Sequence, residues 1–298
     1  MQISARGIAL ELDDQGPAAA PPLLLIQGLG MQLTDWPQGL LDELLQHGLR
    51  VIRYDHRDVG LSQGFDALGV PNPALNGFKH LFHLAPSCTY TLDDLADDAV
   101  ALLDALGIAQ AHLVGASLGG MVAQRLAARW PERVRSLTLV MTTAGARELP
   151  QPSLRVAGLL AQRAPGRDTE SIARHLAHVF EVLGSPAYRP SPEAAMAHWR
   201  AHVQRAWRPK GTARQMAAVV ADGDRTPLLA RIQAPTHVIH GAADPLVPVA
   251  AAHHLVRHIR GATLDVIDGM GHDFPDALMP RWAAGIAQNA ARSGKERP

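Results

Sequence analysis

A single cysteine, Cys88, stands in a chain of 298 residues. One thiol closes no internal disulfide, so no disulfide framework supports the fold, and the composition fits a reducing compartment such as the cytoplasm. Cys88 lies in a loop-like stretch and reads as a free thiol, not a second nucleophile. Net charge is equally lacking, because 28 Lys and Arg balance 28 Asp and Glu. That balance argues against the basic footprint of a nucleic-acid-binding surface. The opening residues Met1 to Leu12 have no apolar signal core and alternate like a first strand. No repeat period is present. What the chain does have is 47% hydrophobic residues, enough to bury the large core of one α/β domain at this length.

The most informative stretch is Ala111-His112-Leu113-Val114-Gly115-Ala116-Ser117-Leu118-Gly119-Gly120-Met121-Val122. A short apolar run leads into Gly-x-Ser-x-Gly, and a helix-patterned segment follows at once. This is the sequence form of a nucleophile elbow, a tight strand-to-helix turn that thrusts its serine into the open. Small residues at Gly115 and Gly119 allow the close backbone approach and strained φ/ψ of such a turn. A helix N-terminus just past Ser117 would also aim free N–H groups at an oxyanion. Ala105 to Gln124 carries no formal charge and has the length of a membrane span. Its glycines and the elbow within it favour a buried strand, turn and helix, so no stable membrane insertion is expected.

Gly60-Leu61-Ser62-Gln63-Gly64 satisfies the same pattern in the wrong setting. Its apolar run ends too early, and the residues after it form a proline-containing loop without helical period. Ser62 is expected to be a turn residue bonded to local backbone.

A serine needs a base to take its proton and a third group to orient that base. Ala262 to Ile267 reads as a strand, and the Asp268-Gly269-Met270-Gly271-His272-Asp273 loop after it presents His272. Thr236 to His240 reads as another strand, with Asp244 just past its end beside Pro245. Asp268, Asp273 and Asp276 compete for the acid's role, but all lie too near His272 to come from the preceding strand. His237, His240, His253, His254 and His258 are more simply strand, helix-face or surface residues.

The order Ser117, Asp244, His272 resembles that of the α/β-hydrolase superfamily. The likeness extends over nearly the whole chain. Leu23-Leu24-Leu25-Ile26-Gln27-Gly28-Leu29-Gly30 resembles the family's oxyanion strand and loop, with Gln27 where a histidine usually stands. Tyr54-Asp55-His56-Arg57-Asp58-Val59-Gly60-Leu61-Ser62 resembles the segment after the family's next strand, which makes the second Gly-x-Ser-x-Gly structural. Its Arg-Asp-x-Gly-x-Ser version is similar to bacterial esterases of the aclacinomycin methylesterase type. The resemblance implies ester cleavage through an acyl-enzyme, with Ser117, His272 and Asp244 as the catalytic residues. The backbone N–H groups of Leu29 and Leu118 would hold the oxyanion. It implies a small-molecule ester substrate and no metal or organic cofactor. An acyltransferase or perhydrolase using the same residues remains an alternative, as does a non-catalytic ligand-binding protein on the same fold. Monomer and homodimer stay open.

Strands are expected near 3–13, 23–27, 50–54, 111–115, 136–141, 235–240 and 262–267. Helices are expected near 36–47, 91–106, 118–130, 217–232, 248–258 and 276–292. This alternation predicts a mostly parallel sheet wrapped by helices on both faces. Thr91 is expected to cap the second of these helices, with acids in its first turn. Residues 145–215 break the alternation and are too long for a plain loop. By the resemblance they form a helical cap, leaving 1–144 and 216–298 as the core domain. The cap is rich in Arg163, Arg167, Arg174, Arg200, Arg205, Arg208 and Lys210, read as a solvated basic surface in preference to an anion-attracting pocket. Residues 72–87, with the apolar Phe78, Leu81, Phe82 and Leu84, read equally as a second cover over the site and as packing against the core.

Overall fold

The computed structural model describes residues 1–72, 76, 79, 84 and 86–294. The expected contacts of Phe78, Leu81 and Phe82 lie outside the described residues, and Leu84 is exposed.

Eight strands form one sheet: β1 Gln2–Ala5, β2 Ile8–Gln15, β3 Pro22–Ile26, β4 Arg50–Tyr54, β5 Ala111–Ala116, β6 Val134–Val140, β7 Thr236–Gly241 and β8 Thr263–Ile267. Their spatial order is β1-β2-β4-β3-β5-β6-β7-β8. The β1–β2 and β2–β4 pairs are antiparallel, and all other neighbours run parallel. The single strand expected over 3–13 is in fact a hairpin. Arg6 and Gly7 both have positive φ (52° and 77°) and reverse the chain inside an otherwise continuous alternation.

Central strands are apolar on both sides because helices cover both faces. On one side Leu24, Ile26, Leu113, Leu137, Leu139 and Val238 pack against α2 (Leu92–Ala105), α3 (Leu118–Arg129) and α9 (Ala250–His258). On the other, Leu23, Leu25, Val51, Val114, Val140 and Ile239 meet α1 (Gln38–Gln46) and α10 (Met279–Ala291). Thr91 caps α2 as expected, its hydroxyl accepting from the Asp94 N–H at 3.2 Å.

Between β6 and β7 run α4 (Leu154–Leu160), α5 (Thr169–Leu183), α6 (Pro192–Arg205), α7 (Pro209–Asp222) and α8 (Thr226–Leu229). The one helix expected over 217–232 is thus two. Pro209 opens α7 earlier, and Gly223 at φ +72° ends it. The expected cap boundary at 215 falls inside α7. Gly211 within this helix has a packing reason, since a Cβ there would lie 2.0 Å from the Asp58 carbonyl oxygen.

Ion pairs seat these helices on the core. Arg214 makes two 2.7 Å bonds to the Asp58 carboxylate, and Arg205 reaches Asp55 at 2.8 Å. Arg205 therefore departs from the expected solvated surface. Arg200 fits it better, pairing with Glu170 on the exposed side.

Two buried histidines carry a consequence for pH. Burial pushes His56 and His112 from the ordinary 6.5 down to about 4. Both are neutral in the folded chain, while the unfolded chain protonates them below about pH 6.5. Their contribution to stability is full above that pH and is lost progressively as pH falls toward 4. Urea midpoints should drop between neutral pH and about pH 5, and His112→Asn should flatten that dependence. A wild-type midpoint unchanged across the window would contradict it.

Candidate active site

Three loops at the C-terminal ends of β5, β7 and β8 bring Ser117, Asp244 and His272 together. Ser117 sits between β5 and α3 at φ 51°, ψ −117°, a region that L side chains rarely adopt. Neighbours hold it there: its N–H donates to the Val140 carbonyl at 2.9 Å, and the Thr142 hydroxyl donates to its carbonyl at 2.6 Å. The close approach expected at the two glycines is real. A Cβ on Gly115 would stand 2.4 Å from the Gly119 carbonyl oxygen, and one on Gly119 would stand 2.0 Å from that of Ile26.

The Ser117 hydroxyl lies 3.1 Å from His272 Nε2, and His272 Nδ1 lies 2.8 Å from Asp244 Oδ2. Asp244 is itself fixed, because Oδ1 accepts the backbone N–H groups of Leu246 (2.9 Å) and Val247 (2.8 Å). A carboxylate with one oxygen held this way presents the other in a set direction. Of the competing acids, Asp273 is engaged elsewhere, accepting from the Ser185 hydroxyl and N–H at 2.5 and 3.0 Å.

Leu29 and Leu118 flank the serine from two sides. A Cβ on Gly28 would lie 3.5 Å from Ser117 Cβ, so the loop after β3 packs directly beside the elbow. Among the described residues neither the Leu29 N–H nor the Leu118 N–H has a hydrogen-bond acceptor. The N–H groups beside Leu29 are both taken. Gln27 Oε1 accepts from Gly28, and Gln215 Oε1 accepts from Gly30, each at 2.9 Å. Gln27, standing where the family usually has histidine, thus anchors its own loop.

Sequence reasoning missed several residues that shape this region. Gln215 is fully buried on α7, and only its place in the folded chain brings it to the loop after β3. His240, read simply as a strand residue, is fully buried with Nε2 2.7 Å from the Val247 carbonyl and 3.6 Å from Asp244 Oδ2. A carbonyl can only accept, so Nε2 carries the proton, and burial holds the imidazole pKa below its ordinary value. The neutral ring adds an N–H near the carboxylate without a second positive charge. Ser62 has the structural role expected of it, donating to the Asp55 carbonyl at 2.6 Å and accepting from the Glu11 N–H at 2.8 Å.

Among the described residues no helix is long and apolar enough to cross a membrane. The uncharged stretch 105–124 contains β5 and most of α3 instead.

Many known proteins resemble this chain in sequence or in fold. The chain is 32% identical over 290 residues to the rhodomycin D methylesterase DauP of Streptomyces sp. strain C5, covering 91% of each chain. It is 30% identical to 3-oxoadipate enol-lactonase 2 of Acinetobacter baylyi over 269 residues, covering 89% of this chain and 87% of that one. A crystal structure of a hydrolase from Pseudomonas aeruginosa superposes with a TM-score of 0.72 at 28% identity, covering 97% of both chains. The meta-cleavage product hydrolase CumD of Pseudomonas fluorescens shares the fold, with a TM-score of 0.77 at 20% identity over 99% of this chain and 98% of that one. The family model described as the alpha/beta hydrolase fold matches residues 21–276. With sheet order, elbow and relatives in agreement along the chain, this protein belongs to the alpha/beta hydrolase family.

Proposed function

We propose that this chain is a serine hydrolase of carboxylic esters, acting on a small-molecule ester. The observation that carries the reading is the continuous chain Ser117 Oγ, His272, Asp244, at 3.1 and 2.8 Å, with its serine on a strained turn. His272 Nε2 takes the hydroxyl proton as Ser117 Oγ attacks the ester carbonyl. Asp244 holds Nδ1–H and stabilises the imidazolium that forms. The Leu29 and Leu118 N–H groups donate hydrogen bonds to the carbonyl oxygen as negative charge develops on it. Collapse of the tetrahedral adduct expels the alcohol, which leaves with the proton from His272. Water, activated by the same imidazole, then releases the acid and restores Ser117. These steps require no metal or organic cofactor.

The methylesterase relatives favour an alkyl ester of an organic acid as substrate, and a lactone would be opened by the same steps. We assign the helical insertion between β6 and β7, from residue 145 to the end of α7, as the cap over this site. Its contacts with the loops after β3, β4 and β8 support that reading. Water is the acyl acceptor favoured by the same relatives.

Ser117→Ala should abolish covalent labelling by a fluorophosphonate. Turnover of p-nitrophenyl esters should fall to what binding and the oxyanion donors alone supply, about 10³–10⁴ over water. Ser62→Ala should keep the label and lose at most about 1 kcal/mol of stability with its turn hydrogen bond. A labelled peptide containing Ser62, or full activity in Ser117→Ala, would overturn the assignment.

For the acid, Asp244→Asn should lower kcat toward the roughly 10⁴-fold loss expected when a triad carboxylate is neutralised. Asp273→Asn should cost far less. Steady-state kinetics of the two variants decide the matter, and the reverse ranking would exchange their roles.

A further inference from the structure

We propose that Ser185, in the segment that follows α5, is a positioning residue for His272, so that the helical insertion sets the geometry of the base. The inference rests on His272 being the general base of the proposed ester hydrolysis.

The His272 ring is oriented by Asp244, but its backbone is held largely by the insertion. The His272 N–H donates to the Leu183 carbonyl at 2.7 Å, the last residue of α5. One residue before it, the Gly271 N–H donates to the Ser185 hydroxyl at 2.8 Å. One residue after it, Asp273 accepts the Ser185 O–H at 2.5 Å and the Ser185 N–H at 3.0 Å. A fourth link, from the Ala187 N–H to the Gly269 carbonyl at 3.2 Å, closes the seam. Ser185 is fully buried and uses its hydroxyl both ways, donating to Asp273 while accepting from Gly271. It therefore grips the chain on either side of the histidine.

The two segments meet without slack. A Cβ on Gly271 would lie 2.4 Å from the Gly184 carbonyl carbon, and one on Gly269 would lie 2.4 Å from the Ala187 side chain. The acid's loop touches the same segment, because Leu246 packs on the cluster that holds Val179 and Leu183. A shift of residues 183–187 would move both the base and, more weakly, its orienting loop. Misplacing a reacting group by about 1 Å can cost about 100-fold in rate.

This role differs from simple support of the cap, because its effect must pass through His272. In the full-length chain, Ser185→Ala should lower kcat for a p-nitrophenyl ester by about 10- to 100-fold with KM close to wild type. Asp273→Asn cuts the same link from the other side, keeps the side-chain volume, and should show the same kcat-only pattern in milder form. The deciding measurement is a double-mutant cycle with His272→Ala. Once the base is gone, Ser185→Ala should change residual turnover no further. An equal loss in both backgrounds would mark a purely structural residue and overturn the proposal. So would wild-type kcat in Ser185→Ala and Asp273→Asn, while His272→Ala alone stays impaired. Wild-type turnover in His272→Ala would remove the base assignment itself and this proposal with it, which separates the two failures. If Ser185→Ala does not fold, the cycle is run with Asp273→Asn and read in the same way.

Discussion

Everything at this site follows from how closely α3 can lie against β3. No side chain fits between Gly119 and the Ile26 carbonyl, where a Cβ would stand at 2.0 Å. That contact forces the chain to turn within one residue, and Ser117 takes the positive φ that the turn demands. A non-glycine residue in such a conformation costs about 1–3 kcal/mol, and persists only where its surroundings over-determine it. The bonds from Ser117 to Val140 and from Thr142 to Ser117 supply that constraint. The same contact sets the N-terminus of α3 beside the loop after β3, where a Cβ on Gly28 would lie 3.5 Å from Ser117 Cβ. The strain at Ser117 and the placing of the proposed oxyanion donors share one geometric cause.

The insertion is tied to the core by ion pairs. Asp58 is paired bidentately with Arg214 of α7, and within the core Asp98 pairs in the same way with Arg57. Asp35 takes His202 of α6 at 2.9 Å. Removing one partner of such a buried pair leaves an uncompensated charge, worth about 3–5 kcal/mol of destabilisation. Charged side chains also explain the decoy motif. A Cβ on Gly60 would stand 2.0 Å from Asp55 Oδ2, and one on Gly64 would stand 2.6 Å from the Arg208 guanidinium. Its glycines make room for the buried Asp55 carboxylate and the half-buried Arg208 guanidinium, as the elbow's glycines make room for backbone. One pattern therefore serves two different physical ends.

Protons are distributed in the same economical manner. Asp244 spends one oxygen on two backbone N–H groups and keeps the other for His272. His240 stays neutral behind it through burial, so the carboxylate has no second cation competing for its charge. Around the loop after β3, Gln27 and Gln215 absorb the donors next to Leu29. Two glutamines from distant parts of the chain thus leave a single unengaged N–H where the oxyanion is proposed to sit.

The sequence by itself determined the elements whose cause is local. The apolar run into Gly115, the capped start of α2 at Thr91 and the loops carrying Asp244 and His272 were all legible in it. Each depends on residues adjacent in the chain, as does the expectation that Ser62 is structural. Alternation concealed the Arg6–Gly7 turn, because the hairpin keeps the same period on both sides of its reversal. Helical pattern misplaced α7, whose Gly211 is explained by contact with Asp58 and not by helix propensity. Only the tertiary structure decided that Arg205 and Arg214 are paired within the fold, that His240 backs the acid, and that Leu183 and Ser185 grip the histidine loop. Those pairings join residues many positions apart, and no spacing rule encodes them. They exist because packed backbones bring the groups within hydrogen-bonding distance and exclude the water that would otherwise bond them.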